Sequence, residues 1–305
     1  MMGDARRHAL TEGVTAGVLF GTAAVFVRYA QGTDPYSIVF WRLGIASATL
    51  AVASIVFRKS FQSRLVKENV KETILLGLFL GLHFIFFTVS VNDTTILNAT
   101  VLVNTVPFFS ILISAFVFRL KPSSFALAGL VFSFTGVLII VFAETASTRP
   151  LAGVAPSLRG DLEAIAAALF LALYLSFGEK VRSKSKILTA MLPIYGFAMC
   201  IVGIISLITG NAASILQPIP NRILPLIGLG LLPTAIAHTL YFSSLQGLKP
   251  FETATMALLE PVGATVLGIA VFHEVPAPVF ALGAVLVLIG IFFTVKKRSQ
   301  DSGRK

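Results

Sequence analysis

The stretch LLEPVGATVLGIAVFHEVPAPVFALGAVLVLIGI, Leu258 to Ile291, decides how the chain is read. Two apolar runs flank the short segment His273-Glu274-Val275-Pro276-Ala277-Pro278, and inside the runs the single ionisable side chain is Glu260, directly before Pro261. A helix needs about 20 apolar residues to cross the hydrocarbon core of a bilayer, and the two runs, extended to 251–272 and 278–295, have that length. Comparable runs recur at 10–30, 36–57, 73–91, 94–118, 124–142, 162–179, 187–209 and 223–246. The expected fold is an all-α integral membrane protein with ten transmembrane helices. Composition agrees. Of 305 residues, 56% are hydrophobic and 12% charged, where a soluble chain carries about 25% charged residues. No room is left for a separate soluble domain.

Working outward, the same pattern is found earlier in the chain. Moving the fourth and fifth runs forward by 154 positions lays Pro107 on Pro261, Pro122 on Pro276, Gly129 on Gly283 and Gly136 on Gly290. Val117, Phe118 and Val131 also fall on Val271, Phe272 and Val285, but apolar matches between apolar segments carry little weight. The proline and glycine matches carry the inference of a duplication. The longest external connection, about Ala143 to Gly160, is rich in Ala, Ser, Thr, Pro and Gly and separates five runs from five. An odd number of helices in each half makes the second copy enter the membrane from the opposite side, giving two inverted five-helix repeats. The expected division is 1–143 for the first repeat, 144–160 for an external linker, 161–296 for the second repeat and 297–305 for a cytoplasmic basic tail.

The formal charge of +10 is distributed between the runs. With the N-terminus inside, Arg149, Arg159 and Arg222 lie outside, Arg28 and Arg42 lie within helices, and every other Lys and Arg falls on the inner side. The positive-inside rule then puts both termini in the cytoplasm of a cell (plasma or inner) membrane. A nucleic-acid surface would instead gather its basic residues on one face among aromatic residues, so no nucleic-acid partner is expected. The first run follows Arg6 and Arg7 as a signal peptide would, yet it is long, carries Gly13, Gly17 and Gly21, and shows no clear small-residue cleavage site. It is read as the first span. Cys200 stands alone, so no disulfide framework or cysteine-rich metal site is available.

Taken together, Gly21, the stretch PYSIVFWRLGIA from Pro35 to Ala46, Pro107, Gly129 and the opening stretch resemble the EamA-like family of the drug/metabolite transporter superfamily. The resemblance implies ten helices in two five-helix repeats and a permease or exporter of small organic metabolites such as amino acids. It also implies a structural or gating role for Arg42 and its neighbour Trp41, because the family carries Arg here across different substrates. By position alone, Arg42 is read as snorkelling near the external interface, with Trp41 as an interfacial anchor.

Candidate site residues are polar groups at membrane depth, where each costs free energy unless paired. Glu260 lies about nine residues, or about 14 Å, inside its span. It can bind a substrate ammonium, carry a coupling proton or bond a neighbouring helix. Pro261 and Pro107 each remove a helical hydrogen bond, freeing the carbonyls of Ala257 and Val103. Helix breaks at matched positions of inverted repeats mark a midplane binding site. Asn104 shares a face with Thr100 and Pro107 and is read chiefly as an interhelical bridge. His83 among phenylalanines and His238 beside Tyr241 can line an aromatic pocket or simply bond between helices, and Tyr174 reads as packing before site.

Membrane enzymes need motifs that are absent from the sequence: paired Asp-rich sites, His-Glu-x-x-His or a Walker loop. No cofactor is expected. The function expected is a secondary carrier working by alternating access, in contact with the lipid bilayer and a small-molecule metabolite, as a monomer or homodimer, with proton coupling one of the roles open to Glu260. A polar-pore channel is the first alternative and a multi-span membrane enzyme the second.

Overall fold

When a helix is apolar on every side, its limits are set by the few residues that cap or interrupt it, and these define the elements here. The structure is a computed structural model that describes residues 2–30, 32–57, 61–94, 96–119, 122–147, 157–210, 213, 215, 222–272 and 278–296. Every regular element among the described residues is helical. Helices α1 (Met2–Phe20) and α2 (Thr22–Tyr29) meet at Gly21. Helix α3 (Pro35–Val56) starts where the Asp34 carboxylate accepts a hydrogen bond from the Ser37 amide at 2.9 Å, with Pro35 in the first turn, where a missing N–H costs nothing. Helices α4 (Ser63–Glu68), α5 (Val70–Asp93), α6 (Ile96–Val103), α7 (Val106–Phe116) and α8 (Ser124–Ser147) follow.

Helix α9 (Leu158–Lys184) is capped by the Ser157 hydroxyl, which accepts from the Gly160 amide at 3.1 Å. After α10 (Ile187–Ile208) come α11 (Ile223–Leu229), a π-helix over Gly230–His238, α12 (Thr239–Ser244) and α13 (Pro250–Met256). A 3₁₀ turn over Ala257–Leu259 leads into α14 (Glu260–Phe272), and α15 (Val279–Val295) is last.

Among the described residues seven stretches are long and apolar enough to cross a membrane: Asp4–Val27, Pro35–Val56, Val70–Asp93, Ala99–Phe116, Leu158–Lys184, Ile187–Ile208 and Ile223–Ser244. Ser124–Ile139 and Ala281–Val295 are shorter apolar helices. The chain is thus an all-α membrane protein. The expected linker of 144–160 is shortened at both ends, since α8 runs to Ser147 and α9 begins at Leu158. Residues 148–156 and the expected basic tail, 297–305, lie outside the described residues.

Glycines set the closest approaches. A Cβ on Gly129 would meet the carbonyl oxygen of Gly290, and one on Gly136 that of Gly283, so α8 and α15 touch backbone to backbone. Between the two pairs the Ser133 hydroxyl donates to the Val287 carbonyl at 3.3 Å. Helix α1 is seated on α13 and α14 in the same way, through Gly13 and Gly17 on Met256 and Gly21 on Gly263. Small residues are what let membrane helices pack this closely.

At the basic end of the bundle, two arginines tie helix ends together. Arg6 pairs with Glu252 at 2.7 Å and donates to the carbonyls of Val295 and Gly247. Arg182 is buried near the end of α9 and donates to Ser185 O, Ser243 Oγ and Gln246 Oε1, while Ser243 Oγ donates to Glu12.

Candidate functional site

Pro233 supplies no backbone N–H, and around it the helix widens into the π-helix of 230–238. The wider turn lets the Thr234 hydroxyl donate to the Leu229 carbonyl, five residues back, at 2.7 Å. The same hydroxyl oxygen accepts from Arg42 Nε at 3.0 Å, and the Thr234 carbonyl accepts from the Tyr195 hydroxyl of α10 at 2.7 Å. Tyr195 also meets Thr239 Oγ1 at 3.2 Å. Arg42 is 4% exposed, with its guanidinium carbon 3.9 Å from the centroid of the Phe84 ring on α5. Three helices and the π-segment therefore fix one charged side chain in the interior.

The snorkelling alternative for Arg42 is overturned by this geometry, because its guanidinium turns inward. Counting residues from the end of a span gives depth along the helix but not the side on which the residue lies, and α3 turns Arg42 toward α5 and the π-helix. Trp41, half-buried, donates from Nε1 to the Ile215 carbonyl at 3.1 Å and packs with Ile38, Leu226 and Leu229. Its polar atom is thus held by protein backbone.

The two histidines, far apart in sequence, are neighbours. Their ring centroids are 6.2 Å apart, and His238 also lies 4.7 Å from Phe20, 4.9 Å from Phe84 and 6.3 Å from Tyr241. His83 Nδ1 is 2.9 Å from the Ala167 carbonyl, so that nitrogen carries the proton. His238 Nδ1 is buried with no hydrogen-bond partner among the described residues. The Tyr241 hydroxyl donates to the Ala254 carbonyl at 3.3 Å, just before the 3₁₀ turn. Glu260 opens α14 after that turn, is partly exposed, and lies within Coulombic reach of Arg42 and Tyr241. Pro261 follows in the first turn of α14.

The remaining sequence candidates lie apart from this cluster. Asn104 is buried in the interruption between α6 and α7, where its Nδ2 donates to Thr100 O of its own strand of chain at 2.9 Å. The interhelical bridge expected for Asn104 is thus replaced by a local bond. Pro107 stands in the first turn of α7, just after the interruption. Tyr174 donates to Met191 Sδ at 3.3 Å and packs on Phe242. Two surface hollows, one lined by Phe86, Leu158 and Arg159 and one by Gln62, Arg182 and Gln246, also lie away from the cluster.

Sequence reasoning passed over Phe20, Phe84 and Tyr195, and noted Thr234 only as a neighbour of His238. A signal existed for Thr234, which follows a proline inside an apolar run; the aromatic residues had none. Tyr195→Phe is expected to cost about 1 kcal/mol, the net worth of one hydrogen bond. Thermal unfolding in detergent checks it, and an unchanged midpoint would count against the bond's holding the π-segment.

The family model described as the EamA-like transporter family matches residues 10–142 and 158–296. Among curated proteins, the chain is 23% identical over 296 residues to the uncharacterized transporter YxxF of Bacillus subtilis, covering 95% of this chain and 90% of that one. It is 24% identical over 288 residues to an uncharacterized transporter of Archaeoglobus fulgidus, covering 93% and 96%. A solved structure described as "Crystal structure of protein" shares the fold with a TM-score of 0.75 at 17% identity, over 95% of this chain and 98% of that one.

Proposed function

The chain belongs to the EamA-like transporter family and is a multi-pass membrane transporter, and from that premise we propose that it is a secondary carrier of small organic metabolites such as amino acids, working by alternating access. The observation that carries the reading is the interior cluster of Arg42, His83, His238, Tyr241 and Glu260. It gathers charged and titratable side chains from α3, α5, the π-segment, α12 and α14 where apolar contacts would be cheaper.

The ten-helix, inverted-repeat organisation is part of the same proposal. Joined across their interruptions, α1 with α2, α6 with α7, α11 with α12, and α13 with α14 make single spans; with α3, α5, α8, α9, α10 and α15 these make ten. Two repeats, 1–143 and 161–296, are supported by the α8–α15 contact. Gly129 corresponds to Gly283 and Gly136 to Gly290, yet Gly129 meets Gly290 and Gly136 meets Gly283. Reciprocal contacts of this kind are what a two-fold axis generates. With both termini on the basic side, the Arg6 and Arg182 ties lie at the cytoplasmic end and close it.

Counterflow in proteoliposomes tests the reading. Vesicles are preloaded with a pool of unlabelled amino acids and other small metabolites, and entry of labelled tracers is followed. Accumulation driven by the pool alone is the expected result. Ion-sized, non-saturating flux without counterflow would replace the carrier with a channel.

A further inference from the structure

At the basic end of the bundle, a hollow of about 430 Å³ lies between the start of α4 and the turn that joins α9 to α10. Gln62, Arg182, Lys184, Lys186, Ile187 and Gln246 stand on its wall, and no acidic residue does so among the described residues. The bias of membrane proteins toward positive ends accounts for Lys184 and Lys186, which are exposed. It does not account for Arg182, which is 8% exposed. The terminal nitrogens of Arg182 donate to Ser185 O, Ser243 Oγ and Gln246 Oε1, all neutral acceptors. Its Nε is buried with no hydrogen-bond partner among the described residues. Hydrogen bonds link Glu12 to the guanidinium only through the Ser243 hydroxyl, so no carboxylate among the described residues pairs with it directly. A cation held in the interior without a counter-ion is costly, and buried donors in folded proteins are nearly always satisfied.

Both helix ends at the hollow bear on its charge. Helix α9 finishes there with Arg182 and Lys184 in its last turn, which offset the negative end of its dipole. Helix α10 starts there with Lys186 as its N-cap, and a lysine side chain has no oxygen to accept from the first-turn amides. The positive end of the α10 dipole therefore adds to the three cationic side chains of the wall.

We propose that this hollow is a binding site for an anionic phosphate group, held by Lys184, Lys186 and the first turn of α10 in front of the Arg182 guanidinium. Lysines serve phosphate as point charges, and a helix start presents amides to it. A lipid headgroup and a soluble phosphate share this chemistry. The position suits a headgroup, because α9 and α10 are both apolar enough to cross the membrane and the hollow lies where they end. Basic pockets between membrane helices are typical headgroup sites. The ligand would brace a junction that the protein has already begun to tie: Arg182 joins α9 to α12 and to the turn before α13, and the Gln62 amide donates to Thr189 Oγ1 of α10 at 3.0 Å.

The test is a titration of the purified, delipidated full chain in detergent, read by its thermal unfolding midpoint at constant ionic strength. The probes are short-chain phosphatidylglycerol, short-chain phosphatidylcholine, sn-glycerol 1-phosphate and sodium phosphate. Phosphatidylglycerol is expected to raise the midpoint saturably, as any ligand of the folded state does, while phosphatidylcholine, whose choline offsets its phosphate, leaves it unmoved. Lys184→Gln with Lys186→Gln is expected to weaken that binding about 30-fold, from the loss of two lysine contacts. Both side chains are exposed, so the fold is expected to persist. Lys67→Gln with Lys71→Gln removes the same charge from exposed positions outside the hollow and is expected to bind as the wild type does.

A saturable response to glycerol 1-phosphate or sodium phosphate that falls with the Lys184 and Lys186 pair supports the site and assigns it a soluble ligand. Equal losses in the two double variants would mean that net charge alone attracts the lipid, which overturns the proposal. So does equal binding of phosphatidylcholine, or the absence of a saturable response to every probe; the wild-type titrations decide these without any variant.

Discussion

Counterflow of the carrier's own substrate through Glu260→Gln is expected to fall about tenfold at low substrate concentration while the protein keeps its helix content and elutes as the wild type does. Glutamine preserves the shape of the side chain, so packing at the start of α14 is undisturbed. What is lost is the one negative charge within Coulombic reach of Arg42 among the described contacts. A carboxylate that holds a substrate ammonium contributes about 1.5–3 kcal/mol through a charge-assisted hydrogen bond. Glu260 keeps some exposure, which places the loss toward the lower end, about 1.5 kcal/mol or roughly tenfold in substrate affinity. Arg42 retains Thr234 and the face of Phe84, which is why the fold is expected to survive. Circular dichroism and size-exclusion chromatography check the fold, and counterflow over a range of pH checks the function. Normal exchange with an unchanged pH profile would remove Glu260 from both substrate binding and proton coupling.

Gly290→Leu is expected to have the largest effect on stability. A Cβ at this position meets Ser133 and the carbonyl oxygen of Gly129, most of it backbone, so no side chain can swing aside and the two helices must separate. Overpacking a core typically costs about 1–3 kcal/mol and more where the backbone must move. The variant should therefore yield little folded protein, or a strongly lowered unfolding midpoint in detergent. Gly196→Leu is the control. It adds the same side chain to an apolar helix at a glycine whose Cβ would meet nothing within 4 Å. Equal midpoints for the two variants would show that the α8–α15 contact does not govern stability.

The apolar membrane helices and the glycine anchors of α8 and α15 were legible because each is a property of composition or spacing along the chain. The interior cluster was legible only in part. Glu260, His83 and His238 stand out as polar residues in apolar runs, but nothing local says that two histidines so far apart share a face of one cluster. The inward turn of Arg42 was not legible because distance from a span's end measures depth and carries no information about azimuth, and no stripe along α3 marks its buried side. Asn104 was read as a bridge because a buried amide in a membrane helix often bonds a neighbouring helix, whereas here a local acceptor, Thr100 O, takes its Nδ2. The π-helix has no reliable sequence signature beyond Pro233, and it is the π-helix that turns Thr234 toward Arg42.

The reciprocal glycine contacts between α8 and α15 carry a mechanical consequence. If the two repeats interchange their conformations as the carrier turns over, a contact lying on the axis that relates them is carried onto itself. The Ser133–Val287 contact is such a point, since each residue is the other's counterpart. The α8–α15 seam then acts as a fulcrum whose spacing is the same in both halves of the cycle, and the remaining helices are the lever arms that swing about it.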